Sequence, residues 1–328
     1  MSEKSELEFT SRIDLSNFKN LIDKVKSEIA KGLIANNDAV ELILTALISG
    51  GHVLIEGVPG IAKTLMAKLT AHTLQLGFKR IQFTPDLMPS DITGTSVFNP
   101  RTLEFELRKG PVFSNIILAD EINRAPAKTQ SALFEAMEEL QVTIDGNTHQ
   151  LLSSFTVLAT QNPIEQEGTY RLPEAQIDRF LFKILLDYPS LNDEIEILKL
   201  KNSGNIINRL ENINPVLTSD ELDLMRLTAS KTIISDELLK YIAEIVQATR
   251  KSKSVFLGAS PRGAVAILQS SKVYAAINGR DFVTPEDILY VAYPALRHRL
   301  ILTPEKEMDG ISPDEVIKSI IQGIEVPR

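Results

Sequence analysis

Gly57-Val58-Pro59-Gly60-Ile61-Ala62-Lys63-Thr64 decides how this chain is read. The octapeptide follows a short apolar run, His52-Val53-Leu54-Ile55, and leads into Leu65-Met66-Ala67-Lys68-Leu69, which has a helical pattern. A strand, a Gly/Pro turn and a helix opening on Lys-Thr make a phosphate-binding loop. Successive backbone N–H groups and the positive end of the helix dipole converge on one anion; the lysine adds a point charge and the threonine a hydroxyl for Mg²⁺. The candidate nucleotide contacts are therefore Gly57, Val58, Pro59, Gly60, Ile61, Ala62, Lys63, Thr64 and Leu65. Ala62 stands where the usual pattern has Gly, an exchange that matters only if the backbone there needs a positive φ. Taken alone, the octapeptide also reads as a plain turn ahead of Lys-Thr.

Working outward, further apolar or β-branched runs lie at Arg80–Thr84, Asn115–Ala119, Phe155–Thr160 and Phe180–Leu185, with helical patterns between several of them. This alternation predicts an α/β fold of P-loop type, a mainly parallel sheet with helices on both faces and the phosphate loop on its first strand. Two helices precede that strand. One carries Phe18, Leu21, Ile22, Val25 and Ile29 on a single face, and the other runs from about Asn37 to Ile48 and stops at Gly50-Gly51. After Pro189 no strand is expected, and helices announced by their own caps take over. Thr218-Ser219-Asp220-Glu221 and Ser312-Pro313-Asp314-Glu315 read as capping boxes, while Ser260-Pro261 and Thr284-Pro285 set a cap before a first-turn proline. The expected division is a loose tail over 1–16, an α/β nucleotide-binding domain over 17–189 and a small all-α lid over 190–328. A connection between Lys201 and Leu217 would let the lid be repositioned.

The 328 residues, 43% of them hydrophobic, suffice for sizeable cores, and no apolar stretch nears the ~20 residues of a membrane helix. The start Met-Ser-Glu-Lys-Ser-Glu lacks the apolar core of a secretion signal, so a cytoplasmic location is expected. Cysteine is absent, which removes disulfides, thiolate nucleophiles and Cys-based metal sites. Net charge −8 and pI near 5.2 argue against a dedicated nucleic-acid binder. The four histidines share no metal-ligand spacing.

Chemistry concentrates at the ends of the predicted strands. Asp120-Glu121 follows Ile116-Ile117-Leu118-Ala119, so both carboxylates project at the carboxyl edge of the sheet, where open α/β folds bind ligands. There Asp120 would hold Mg²⁺, often through water, with Thr64 as the second metal contact, and Glu121 would polarise the water that attacks the γ-phosphate. Asn162, in Thr160-Gln161-Asn162-Pro163, has both donors and an acceptor for the phosphate or the attacking water, although Asn-Pro is also an ordinary turn. Arg179 lies just before the last strand and Arg262 at the start of a lid helix. Either guanidinium could neutralise charge on the transferred phosphoryl group, although for each arginine taken alone a surface salt bridge is the better reading.

Together these motifs resemble the MoxR family of AAA+ ATPases, within the helix-2-insert clade, from about Leu33 to the end. Gly57–Thr64 resembles that family's Walker A, in which Ala before Lys is usual. Gln82-Phe83-Thr84-Pro85-Asp86-Leu87-Met88-Pro89-Ser90-Asp91-Ile92-Thr93-Gly94 is close to its most distinctive stretch. Ile117–Arg124 resembles its Walker B, Asn162 its first sensor, Glu174–Phe180 its arginine-finger segment and Ser260-Pro261-Arg262-Gly263 its second sensor. The resemblance implies a Mg²⁺-dependent ATPase assembled as a ring, usually a homo-hexamer, with nucleotide at subunit interfaces and Arg179 reaching a neighbour's site. It implies chaperone-like remodelling or metal insertion on partner proteins, commonly ones with a von Willebrand factor A domain. Val97–Phe113 would be the clade's helix-2 insert and Gln141–Leu151, alternating around Asp145-Gly146, the hairpin before the first sensor. The alternatives are a nucleotide-gated scaffold with negligible turnover and a nucleic-acid remodeller, the latter disfavoured by the acidic charge.

Overall fold

The structure, a computed structural model, describes residues 13–163, 169–202, 210 and 212–327. Two helices come first, α1 (Ser16–Gly32) and α2 (Asn37–Ile48), then β1 (His52–Gly57) and α3 (Lys63–Thr73). Next are β2 (Phe78–Gln82), the short α4 (Pro89–Thr93) and an antiparallel hairpin, β3 (Gly94–Asn99) with β4 (Glu104–Lys109). β5 (Ile116–Asp120), a 3-10 turn over Ile122–Arg124 and α5 (Ala127–Glu139) lead to a second hairpin, β6 (Gln141–Ile144) with β7 (Asn147–Gln150). β8 (Thr156–Gln161), the one-turn α6 (Glu174–Ile177) and β9 (Phe180–Leu186) complete the α/β part.

β2, β5, β8, β1 and β9 lie side by side in that order, every neighbouring pair parallel. Alternation along the strands sends Val53, Ile55, Leu118 and Leu158 into one core, and Leu54, Ile117, Ala119 and Val157 into another on the opposite face. Along β9, Phe180 joins the second core and Phe182 the first, where the register against β1 shifts between His52 and Val53. The first core is closed by α1 to α3, where α1 buries Phe18, Ile22, Val25 and Ile29 at helical spacing. The second is closed by α5 and by Val142 and Ile144 of the second hairpin. Each fully buried aliphatic or aromatic side chain contributes roughly 1.5–3 kcal/mol. The Asp-Gly turn forms as expected, with Asp145 and Gly146 both at positive φ, the geometry of a turn matched to strand twist.

Beyond β9 come α7 (Leu191–Asn202), α8 (Ser219–Ser230), α9 (Asp236–Lys251), α10 (Pro261–Ile277), α11 (Pro285–Leu296), α12 (Pro304–Met308) and α13 (Pro313–Gln322). The anticipated caps are in place: Thr218 and Ser312 make reciprocal boxes with Glu221 and Glu315, and the Ser260 hydroxyl accepts from the Arg262 N–H. The expectation of no strand after Pro189 is corrected, because β10 (Val255–Leu257) pairs antiparallel with β11 (Ile301–Leu302). Segments of three and two residues are too short to show a period of two, and their pairing joins distant parts of the chain. Leu222, Met225, Tyr241, Ile267 and Val291 of these helices belong to the same core as α1 to α3. Residues 1–12 of the expected tail, and 203–209 and 211 of the expected connection, lie outside the described residues. Among the described residues no helix is long and apolar enough to cross a membrane.

His52 is buried in this frame, its Nδ1 accepting from the Val157 N–H at 3.0 Å and its Nε2 lying 3.1 Å from the Met137 carbonyl. The first bond makes Nε2 the protonated nitrogen, so it donates to Met137 and pins the end of α5 to the sheet. Burial pushes the imidazole down from 6.5 to about 4. Native His52 thus stays neutral where the unfolded chain takes up a proton, and its stabilising effect, complete above about pH 6.5, is lost as pH falls toward about 4. Urea unfolding at pH 7 and pH 5 should differ by roughly 2 kcal/mol from this residue, and His52→Gln should shrink that difference.

Candidate functional site

β1, β5 and β8 end together, and their register carries Gly57, Asp120, Glu121, Gln161 and Asn162 to one edge of the sheet. Pro59, Gly60, Ala62, Lys63, Thr64, Leu65, Asp120, Glu121 and Asn162 line one cleft of about 370 Å³ there. A Cβ on Gly57 would lie 2.5 Å from Ile61 and 2.9 Å from the Leu186 carbonyl, so β1 can release the loop only through glycine. Gly60 sits at φ 88°, and Ala62, directly before the helix, at φ 64°. The position does need the left-handed conformation, so alanine in place of glycine is a strained choice, at a cost of about 1–2 kcal/mol.

Lys63 opens α3 and folds its ammonium onto the Gly57 carbonyl at 2.7 Å. Burial lowers its pKa, opposed by the charges of Asp120, Glu121 and Glu56. The Thr160 hydroxyl donates to Asp120 Oδ1 at 2.6 Å and accepts from the Glu121 N–H at 2.9 Å, fixing the turn that holds both carboxylates. Glu121 itself is at φ 56°, a conformation that stores about 1–3 kcal/mol and persists only because its surroundings enforce it.

Three residues of this edge were given no role in the site by the sequence. Arg80 of β2 donates through Nε and Nη2 to Asp120 Oδ2, at 3.0 and 2.6 Å, and through Nη2 to Gln82 Oε1 at 2.6 Å. Gln82, paired in register with Asp120, donates to Glu121 Oε2 at 2.9 Å, and Arg124 Nε lies 3.1 Å from the same oxygen. Asp120 and Glu121 are thereby linked through Arg80 and Gln82. The available signal was the alternation of polar Arg80 and Gln82 along β2; which strand lies beside β2 was not in it.

Arg179 and Arg262 are elsewhere. His52, the first residue of β1, pairs with Phe180, and Gly57, the last, with Leu186, so Arg179 lies at the opposite edge of the sheet, roughly 17 Å of strand away from the loop. Arg262 joins it there. Both donate to Glu138 of α5, Arg179 Nε at 2.6 Å to Oε2 and Arg262 Nη2 at 2.6 Å to Oε1. The site residues named from the sequence thus form two groups, Lys63, Thr64, Asp120, Glu121 and Asn162 at one edge and the two arginines at the other.

A family profile described as "ATPase family associated with various cellular activities (AAA)" matches residues 52–182, and one described as "AAA lid domain" matches residues 247–320. "Uncharacterized protein YeaC" of Bacillus subtilis is 47% identical over 307 residues, 94% of this chain and 95% of that one. "Chaperone MoxR1" of Mycobacterium tuberculosis is 42% identical over 320 residues, 94% of this chain and 82% of its own. This chain belongs to the MoxR family of AAA+ ATPases. A crystal structure of a candidate ATPase from Cytophaga hutchinsonii superposes on it with a TM-score of 0.89 at 43% identity, over 96% of this chain and 97% of that one. As in other MoxR-family ATPases, the activity expected of the cleft is hydrolysis of a nucleotide triphosphate.

The strain at Ala62 in this MoxR-family loop is measurable. Ala62→Gly should stabilise the protein by roughly 0.5–1 kcal/mol, the relief of the left-handed alanine exceeding the entropy gained by the unfolded chain. Chemical denaturation checks this, and a loss of stability would mean the loop does not hold that conformation.

Proposed function

We propose that the chain hydrolyses ATP as part of a homo-oligomeric ring, a hexamer by its family resemblance, in which each nucleotide lies between two subunits. The observation that carries this is the division of the site residues between opposite sheet edges. Lys63, Thr64, Asp120, Glu121 and Asn162 supply one cation, a hydroxyl, an amide and two carboxylates, and the arginines of that edge, Arg80 and Arg124, are engaged by Asp120 and Glu121; Arg179 and Arg262 stand too far from them within one chain.

In this reading the loop N–H groups and Lys63 hold the phosphates. Glu121 polarises water, with Asn162 orienting it, and a neighbour's Arg179 and Arg262 neutralise developing charge. The donor set fits Mg²⁺. Thr64 offers a hydroxyl, and Asp120 Oδ1, accepting only from Thr160 among the described residues, keeps a lone pair for a metal-bound water. No cluster of three or more His, Cys, Asp or Glu side chains able to hold a metal occurs among the described residues, consistent with an ion retained jointly with the phosphates. When bound, Mg²⁺ would be held at Thr64 and Asp120 and would offset the charge of the phosphates.

The work done with this hydrolysis is, in our reading, chaperone-like remodelling or maturation of partner proteins in the cytoplasm, including metal insertion and partners with a von Willebrand factor A domain. The relative named "Chaperone MoxR1" supports the chaperone-like role, and the motif resemblance supports metal insertion and the von Willebrand factor A partners. The two hairpins are the natural partner contacts. The first exposes Val97, Phe98, Leu103 and Phe105, with Phe98 and Phe105 packed edge to face at 5.5 Å.

Lys63→Ala should abolish ATP binding in calorimetric titration, and Glu121→Gln should bind ATP yet hydrolyse it very slowly. Arg179→Ala should keep nucleotide binding while turnover falls ~10³- to 10⁵-fold. Mixing Arg179→Ala with Glu121→Gln then restores some turnover, because interfaces appear that hold both Glu121 and Arg179. If labelled chains exchange and the mixture stays inactive, Arg179 does not act across an interface.

A further inference from the structure

The arginine edge is built more elaborately than two surface ion pairs require. Arg299, 8% exposed, spends its guanidinium on the approach to β9: Nε on Asp178 Oδ1 at 2.8 Å, Nη2 on the carbonyls of Asp178 and Phe180 at 3.0 and 2.7 Å, Nη1 on those of Leu181 and Ala295. That arginine is consumed by the fold and has nothing left for a ligand. The other oxygen of Asp178 accepts from the Ser260 hydroxyl at 2.9 Å, and Ser260 is the cap of α10, which carries Arg262 two residues on. One carboxylate therefore fastens the start of the lid helix beside Arg179.

Onto this frame Glu138 adds a second bridge. Its Oε2 takes the Nε/Nη2 side of Arg179, and its Oε1 takes Nη2 of Arg262. Arg179 Nη1 has no partner among the described residues, and Arg262 Nη1 lies 4.0 Å from Asp178, beyond hydrogen-bond distance. Three guanidiniums against two carboxylates leave an excess positive charge, and Arg262 remains about half exposed. Without the shared carboxylate, two like charges would repel and two long side chains would regain rotamer freedom. The position of Glu138 is in turn set from inside the sheet, because its neighbour Met137 accepts the His52 bond.

We propose that Glu138 is the positioning residue of the arginine pair: its carboxylate joins Arg179 and Arg262 into one phosphate-binding fork, presented to the nucleotide of a second copy of this chain. This rests on the reading of Arg179 as acting across an interface. Glu138 touches no reacting atom and acts through the two arginines. Its loss should therefore change turnover on a neighbour's nucleotide while leaving its own chain's cleft intact.

The test uses the full chain with ATP and Mg²⁺. Glu138→Ala should lower kcat tenfold or more, as expected for a misplaced charged group, with ATP affinity unchanged within about twofold when read by titration in a Glu121→Gln background. Glu138→Gln, which keeps the size and removes the charge, should show the same defect and serves if the alanine variant folds poorly. Mixing decides where the defect lies. Combined with Glu121→Gln, the Glu138→Ala chain meets an intact fork on its neighbour, and turnover should rise above that of Glu138→Ala alone. A fall on mixing would place the defect in the variant's own cleft and overturn the proposal, as would a Glu138→Ala turnover equal to or above wild type, which would make the carboxylate dispensable or a restraint. If Arg179→Ala itself leaves turnover unaltered, the reading across the interface fails first. If Arg179→Ala silences the enzyme and Glu138→Ala does not, only this proposal fails.

Discussion

Five strands running the same way give a sheet two unlike edges. Every C=O-terminal end lies on one side, where loops open toward a helix N-terminus and gather Lys63, Asp120, Glu121 and Asn162. Every strand start lies on the other, where Arg179 must be because Phe180 pairs with His52. The distance between the two groups follows from the parallel register and from nothing else, and no side-chain motion can close it.

The loop edge shows how a binding site is kept under tension. Ala62 and Glu121 both sit in left-handed backbone, and each is followed by a segment that cannot relax: α3 after Ala62, the 3-10 turn after Glu121. The Thr160 hydroxyl serves both Asp120 and Glu121, and Arg80 and Gln82 tie the same two carboxylates from the neighbouring strand. Among these, only the glycine-rich turn declares itself by composition. The rest depends on which strands become neighbours.

That difference separates what could be read in advance from what could not. The loop and its helix, the Asp-Gly hairpin and the caps at Thr218, Ser260, Thr284 and Ser312 are local, written in residues within four positions of one another, so they were legible. So was strand-helix alternation, because a period of two or 3.6 survives without knowledge of the partner. The strand order, the Arg80–Asp120 pair and the Glu138 bridge were not legible: each joins residues about 40 or more positions apart, and exposed arginines and glutamates look alike wherever they point. β10 and β11 were missed because their few residues carry no periodic signal. The need for positive φ at Ala62 is a property of the backbone, which the residue type alone does not declare.

The hydrogen bond from Ser260 to Asp178 has a mechanical side. It makes the first turn of α10 and the residue ahead of Arg179 a single stiff joint, reinforced by Arg299 reaching from the end of α11 to the same aspartate. A torque on the helical part of the chain is transmitted through that joint to the guanidiniums instead of being absorbed by a soft hinge. In the ring proposed above, the pliable element would then be the boundary between one subunit and the next, and tilting there would advance or withdraw two positive charges together.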